Sequence, residues 1–182
     1  MSLAQLFGPL DELMRRSGVR YAIIGAYAVA AWGTIRATRD LDLLIELRDL
    51  ELLRGALRRA GIEHEYRQGD PDDPIHCVLR LHLVSATDSQ EIDILAGIRN
   101  APAGITERAV PVALGALKLP VAAPEDVIIL KLLAGALQDI EDTRAVLRVQ
   151  GESISRDHLL QLCPVHLKGM LESLLDEFPQ EE

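Results

Sequence analysis

Between residues 40 and 45 the chain reads Asp-Leu-Asp-Leu-Leu-Ile, and no other stretch constrains it as tightly. On an extended strand residues two apart share a face, so Asp40 and Asp42 point one way while Leu41, Leu43 and Ile45 point into a core. The polar side continues upstream through Thr38 and Arg36, whereas Arg39 falls on the opposite side. Glu91-Ile92-Asp93-Ile94-Leu95 repeats the alternation of acid and apolar residue. Carboxylates crowded in this way repel one another and keep their protons unless a cation stands between them. A hard divalent ion with oxygen ligands relieves the repulsion, and Mg²⁺ is the usual choice where phosphates complete the ligand set. Asp40 and Asp42 with a third strand-borne carboxylate from this second run suffice for two such ions roughly 3.5–4 Å apart, an arrangement suited to in-line phosphoryl displacement, with Mn²⁺ as a substitute.

Ahead of this run lies Tyr21-Ala22-Ile23-Ile24-Gly25-Ala26, followed by an Ala-rich stretch ending near Gly33. The spacing predicts a short buried strand, a tight turn at Gly25 and then a helix. A helix start after a glycine turn presents backbone N–H groups and a positive dipole end to an anion. Gly25 and the small Ala26 leave room for a triphosphate to approach the backbone.

This order of glycine turn, helix, Arg36-x-Thr38-x-Asp40-Leu41-Asp42 and third acidic strand resembles the DNA polymerase β-type nucleotidyltransferase superfamily. Within it, the pattern is most similar to small bacterial proteins that include abortive-infection toxins and the nucleotidyltransferases of toxin–antitoxin pairs. The resemblance runs from about residue 20 to 150 and implies an α+β fold, a mixed β-sheet with flanking helices and a C-terminal helical tail. It matches Asp40 and Asp42 to the paired metal ligands, Asp93 to the third carboxylate, and Gly25 and Ala26 to the phosphate-side turn. The implied reaction is metal-dependent transfer of a nucleoside monophosphate from a nucleoside triphosphate to a hydroxyl. An RNA end, a protein side chain and a small molecule are the acceptors it allows. A cognate protein partner is a further implication, and a catalytically silent, antitoxin-like binding module is the alternative. Two departures stand out: Ala26 occupies a position where the family more often has Gly, and Ala136-Leu137-Gln138 follows the next helix where a basic residue is common.

Lys131 is the second anomaly. It sits in Val127-Ile128-Ile129-Leu130-Lys131-Leu132-Leu133-Ala134, a helix that is apolar nearly all round. Such a lysine either snorkels to the surface or is held inward by an anion, here a nucleotide triphosphate. The acidic segment Asp139-Ile140-Glu141-Asp142 that follows has the form of a helix N-cap with its box, and a capping role for Asp139 is expected. Arg36 and Thr38 are the remaining candidates for phosphate contact.

Composition narrows the partners. With 182 residues and 48% hydrophobic content the chain can bury a substantial core. Its net charge of −9 excludes a broad nucleic-acid-binding surface, and 3% aromatics leave little for base stacking. Cys77 and Cys163 are too far apart in sequence for a metal motif, and none of the five histidines pairs at ligand spacing. No Gly-x-x-x-x-Gly-Lys loop is present, and no lysine stands two residues beyond Glu91 or Asp93 as an acid-acid-lysine nuclease requires. The apolar stretch from Tyr21 to Trp32 is broken by Gly25 and too short for a bilayer, so a cytoplasmic protein without membrane attachment is expected.

The coarse expectation is a nucleotidyltransferase-like α/β domain over residues 1–122 and a helical region over 123–182. Helices are expected over 3–17, 49–60 and 124–137, and then over 140–149, 156–162 and 165–177. Beyond the strands already named, residues 77–84 and 110–114 read as extended and 68–74 as an acidic turn.

Overall fold

Leu41, Leu43 and Ile45 are buried, as their two-residue spacing requires, and the elements around them follow from what covers that face. The computed structural model describes residues 3–34, 40–84, 89–114 and 117–179. In chain order it contains α1 (Leu3–Arg16), β1 (Tyr21–Ile23), α2 (Gly25–Trp32), β2 (Asp40–Ile45), α3 (Leu50–Arg59), β3 (Glu65–Gln68), β4 (Ile75–Val84) and β5 (Ser89–Ile98). It continues through α4 (Ile105–Arg108), β6 (Val110–Leu114), β7 (Leu117–Val121), α5 (Pro124–Ala134), α6 (Leu137–Gln150), α7 (Arg156–Leu162) and α8 (Lys168–Asp176). The strands form one mixed sheet in the order β3-β4-β5-β2-β1-β7-β6.

Register decides which residues meet. Strand β2 pairs parallel with β5, setting Leu41 beside Ile92, Leu43 beside Ile94 and Ile45 beside Ala96. Strand β4 runs antiparallel to β5 and places Leu81, Leu79 and Cys77 next in those rows. All nine are buried, and Phe7, Leu10 and Met14 of α1 join them in the core with Leu53 and Leu57 of α3. The alternate residues form rows on the other face: Asp40, Glu91 and His82; then Asp42, Asp93 and Arg80. One face of these rows is apolar throughout, and the other carries the charge at one end before turning apolar at Leu44 and Leu95.

The core continues past residue 122. Ile128, Ile129 and Leu132 of α5 and Val146 and Leu147 of α6 belong to the same buried cluster as Ile23 and Leu43. Helix α5 opens with Pro124 and two acids and closes at Gly135, whose φ of +71° suits glycine and lets its N–H reach the Lys131 carbonyl. One of those acids does more than complement the dipole. Asp126 is fully buried, and Arg108, closing α4, reaches it with Nη2–Oδ1 at 2.7 Å and Nε–Oδ2 at 3.2 Å. Removing one member of a buried pair leaves an uncompensated charge, so Arg108→Ala should cost about 2–4 kcal/mol in urea unfolding at neutral pH. A loss below about 0.5 kcal/mol would show that water enters and solvates Asp126.

Five elements differ from the sequence expectation. Strand β3 escapes notice because all four of its residues are exposed, so no alternation marks it. Strand β7 and the single turn of α4 are likewise unexpected; β7 holds Pro120, which reads as a breaker although it pairs in register with Pro111 of the edge strand β6. Helix α6 begins at Leu137, three residues early, because α5 stops at Gly135. The last helix is preceded by a 3₁₀ turn over Val165–Leu167.

Candidate active site

Strand β1 ends by hooking onto β2: the Ile24 N–H donates to the Asp42 carbonyl at 2.9 Å. The chain then turns at Gly25, with φ of +63°, and enters α2. At this turn the Asp42 side chain lies against the backbone. A Cβ built on Gly25 would stand 2.0 Å from Asp42 Oδ2 and 2.9 Å from its Cγ, so only glycine fits here. Ala26 follows, buried in the first turn of α2. The aspartate, the glycine and the helix start that sequence spacing suggested are thus in direct contact.

Register brings Asp93 directly beside Asp42, and Asp40 beside Glu91. Burial, reinforced by the charges of Asp93 and Asp40 and opposed by Lys131, pushes the Asp42 carboxyl up to about 6. Asp93 is turned toward β4, where Arg80 holds both its oxygens at 2.8 Å. Among the described residues no three His, Cys, Asp or Glu side chains are grouped as ligands to one ion. The donor chemistry nevertheless suits a hard divalent cation: carboxylate oxygens from adjacent strands, excess negative charge at Asp42, and a glycine that clears the approach. Arg36 and Thr38 lie outside the described residues.

Lys131 reaches the same place from α5. Its ammonium is mostly buried and bonds Asp139 Oδ1 and Asp142 Oδ2, each at 2.8 Å. Burial alone would lower its pKa; the bonds to Asp139 and Asp142 outweigh burial and raise it. Asp139 also caps α6, though from its third residue rather than the cap position, accepting from the Ala136 N–H at 3.1 Å. One side chain thus both caps α6 and holds the Lys131 ammonium. Lys131, Gly25 and Asp42 line a common cavity of about 510 Å³, whose apolar wall includes Leu95, Ile98, Val127 and Leu130.

Lys131→Met strands two acids, with Asp142 nearly buried, so the variant should lose about 2–4 kcal/mol at neutral pH. A lysine whose folded pKa is raised contributes its full stabilisation below its unfolded value and loses it only in strong alkali. The deficit should therefore be equal at pH 6 and pH 8 and shrink only in strong alkali, as the wild type loses the lysine's contribution. Urea unfolding at both values checks this; a deficit below about 0.5 kcal/mol at either would show that water replaces the ammonium at no cost.

Several residues of the site were not legible in advance. Arg80 occupies the polar side of β4, but its meeting with Asp93 depends on β4–β5 register. Tyr27 on α2 is drawn in too, its phenol raised by burial and then by the charge of Asp40. Asp72, Arg99 and His166 complete the cavity from the acidic loop, the end of β5 and the turn before α8. Arg99 steadies that loop, its N–H donating to the Pro74 carbonyl at 2.8 Å and its side chain reaching the Pro71 and Asp73 carbonyls.

The mixed sheet with its flanking helices matches the fold of solved nucleotidyltransferases. The solution structure of the antibiotic-resistance factor ANT(2'')-Ia is 15% identical with a TM-score of 0.58, the match covering 97% of this chain and 96% of that one. The crystal structure of ANT(2'')-Ia in complex with adenylyl-2''-tobramycin gives 14% identity, a TM-score of 0.61 and coverage of 93% and 97%. A putative nucleotidyltransferase from Thermotoga maritima, TM1012, gives 15%, 0.51, and coverage of 81% and 96%. At these identities the likeness is one of fold. No protein-family model matches the chain, and no curated protein matches it in sequence. No helix among the described residues is long and apolar enough to cross a membrane.

Proposed function

We propose that this chain is a metal-dependent nucleotidyltransferase that moves a nucleoside monophosphate from a nucleoside triphosphate to a hydroxyl group. The observation that supports the reading is the contact of Asp42, neighbour in register to Asp93, with the Gly25 turn in the wall of a cavity also lined by Lys131. Asp40, Asp42 and Asp93 would hold Mg²⁺ or Mn²⁺, which when bound neutralises charge on the phosphates and the attacking oxygen. The chain's own residues do the rest. The Gly25–Ala26 backbone and the start of α2 receive phosphate oxygens. Lys131 supplies positive charge from the opposite wall, with Asp139 and Asp142 fixing its ammonium. Arg36 and Thr38, outside the described residues, are candidates for phosphate contact from the motif alone. Asp93 would take the proton of the acceptor hydroxyl as that oxygen attacks the α-phosphorus, with pyrophosphate leaving along the line of attack.

For the acceptor we favour a small hydroxyl-bearing molecule. A cavity of about 510 Å³ suits a small ligand, and a net charge of −9 disfavours polyanions such as RNA. The adenylyl-2''-tobramycin in complex with the fold neighbour ANT(2'')-Ia supports the same preference. A place in a toxin–antitoxin or abortive-infection system, with a cognate protein partner, rests on motif order alone. The rival reading, a catalytically silent binding module, draws on the engagement of Asp93 by Arg80.

Incubation with each labelled nucleoside triphosphate, Mg²⁺, and separate pools of small molecules, RNA and protein tests both. Label is expected in the small-molecule pool. Label in RNA or protein would reassign the acceptor, and no label combined with no calorimetric binding of Mg²⁺–nucleotide would favour the silent module.

A further inference from the structure

Arg80 commits both oxygens of Asp93. Its Nε donates to Oδ1 and its Nη2 to Oδ2, each at 2.8 Å, and Nε also lies 3.5 Å from Glu91 Oε1. The fork follows from register, which sets Arg80 directly opposite Asp93 on the charged face of the sheet. A guanidinium stays charged at any working pH and matches a carboxylate through two parallel bonds, so it is a strong local competitor for Asp93. The next residue in the row on β3 is another acid, Glu65. Arg80 also borders an open groove of about 670 Å³ with Arg58, His64, Glu65 and His82, which leaves space for its side chain to turn away from Asp93.

We propose that Arg80 is a positioning residue for the metal site: it occupies Asp93 until a divalent ion draws on that carboxylate, then moves across the row toward Glu65. The inference rests on the metal-dependent reading above and deepens it. Two consequences follow. The nucleotide-free protein binds divalent ions more weakly than its three acids would alone, because each ion that uses Asp93 must open the fork. Phosphate oxygens arriving with a nucleotide add ligands and tip the exchange, which ties completion of the carboxylate set to substrate arrival.

The test is Mn²⁺ binding to the nucleotide-free full-length protein, followed by electron paramagnetic resonance and calorimetry, with melting temperature as the check on folding. Arg80 is well exposed, so its replacement leaves the core intact. Arg80→Gln should tighten Mn²⁺ binding by about three- to tenfold, the range for releasing a well-formed exposed pair. In an Asp93→Asn background the same replacement should change Mn²⁺ affinity by less than about twofold, since the contested carboxylate is gone. Unchanged or weaker binding in Arg80→Gln overturns the proposal, as does a gain that persists without Asp93, which would mean that the arginine acts only through its field on Asp40 and Asp42. Absence of Mn²⁺ binding in the wild type and in Arg80→Gln overturns it equally. Nucleotide transfer by the wild type is scored separately: transfer with no Arg80 effect on Mn²⁺ sinks this inference and leaves the proposed function standing.

Discussion

Asp42→Asn should leave the nucleotide-free protein more stable than wild type at neutral pH while lowering nucleotide transfer by at least about a thousandfold. The stability half follows from the raised carboxyl. Burial and the neighbouring acids lift Asp42 from 3.8 to about 6, so the folded chain binds this proton more tightly than the unfolded chain does. Between those values the folded state carries more protons, and stability from this group falls as pH rises through the window. At pH 7.5 the wild type bears the whole unfavourable contribution. Asparagine removes it, for a gain of about 1–2 kcal/mol once partial solvation is allowed for. By pH 4 the wild-type carboxyl is protonated, and the two curves should meet. Denaturant unfolding at pH 4 and pH 7.5, beside a transfer assay, reads both halves. A less stable asparagine variant at pH 7.5 would mean that Asp42 is held by a favourable contact, against the picture of a carboxylate awaiting a cation.

The same comparison shows what the sequence can disclose. The alternation in Asp40–Ile45 and Glu91–Leu95 determines which side of each strand is polar, and both strands obey it. That Asp42 would stand beside Asp93, though, is a matter of parallel register between segments some fifty residues apart, and only the family resemblance pointed to it. Arg80 shows the limit more sharply. It lies in an ordinary alternating strand, and its meaning depends on an antiparallel register that its own neighbours do not encode. Lys131 was legible as an anomaly because a charge in an apolar helix is costly, but its two partners come from the next helix, whose start was expected three residues late. Strand β3, entirely exposed, gave periodicity nothing to detect. Local chemistry was readable wherever burial imposed a period, and pairings between distant segments were not.

Gly25→Ala should be the most damaging single methyl added to the site. Two costs combine. Alanine must adopt φ of +63°, which an L-residue tolerates at about 1–2 kcal/mol. Its Cβ would also lie 2.0 Å from Asp42 Oδ2 and 3.1 Å from Asp42 Cβ, so turning the carboxylate aside relieves only part of the conflict. The remainder must come from a shift of the turn, which is pinned by the Ile24 N–H bond to the Asp42 carbonyl. A total loss of about 2–4 kcal/mol in unfolding free energy is expected. Transfer should fall by about a hundred- to a thousandfold, because the metal-side carboxylate and the phosphate-side backbone are displaced together. A double-mutant cycle separates the two costs. With Asp42→Ala the carboxylate is gone, and adding Gly25→Ala should then cost little beyond the dihedral strain, giving a coupling of about 1–2 kcal/mol. Strict additivity would show that Gly25 serves the turn alone and that its contact with Asp42 contributes nothing to the geometry of the site.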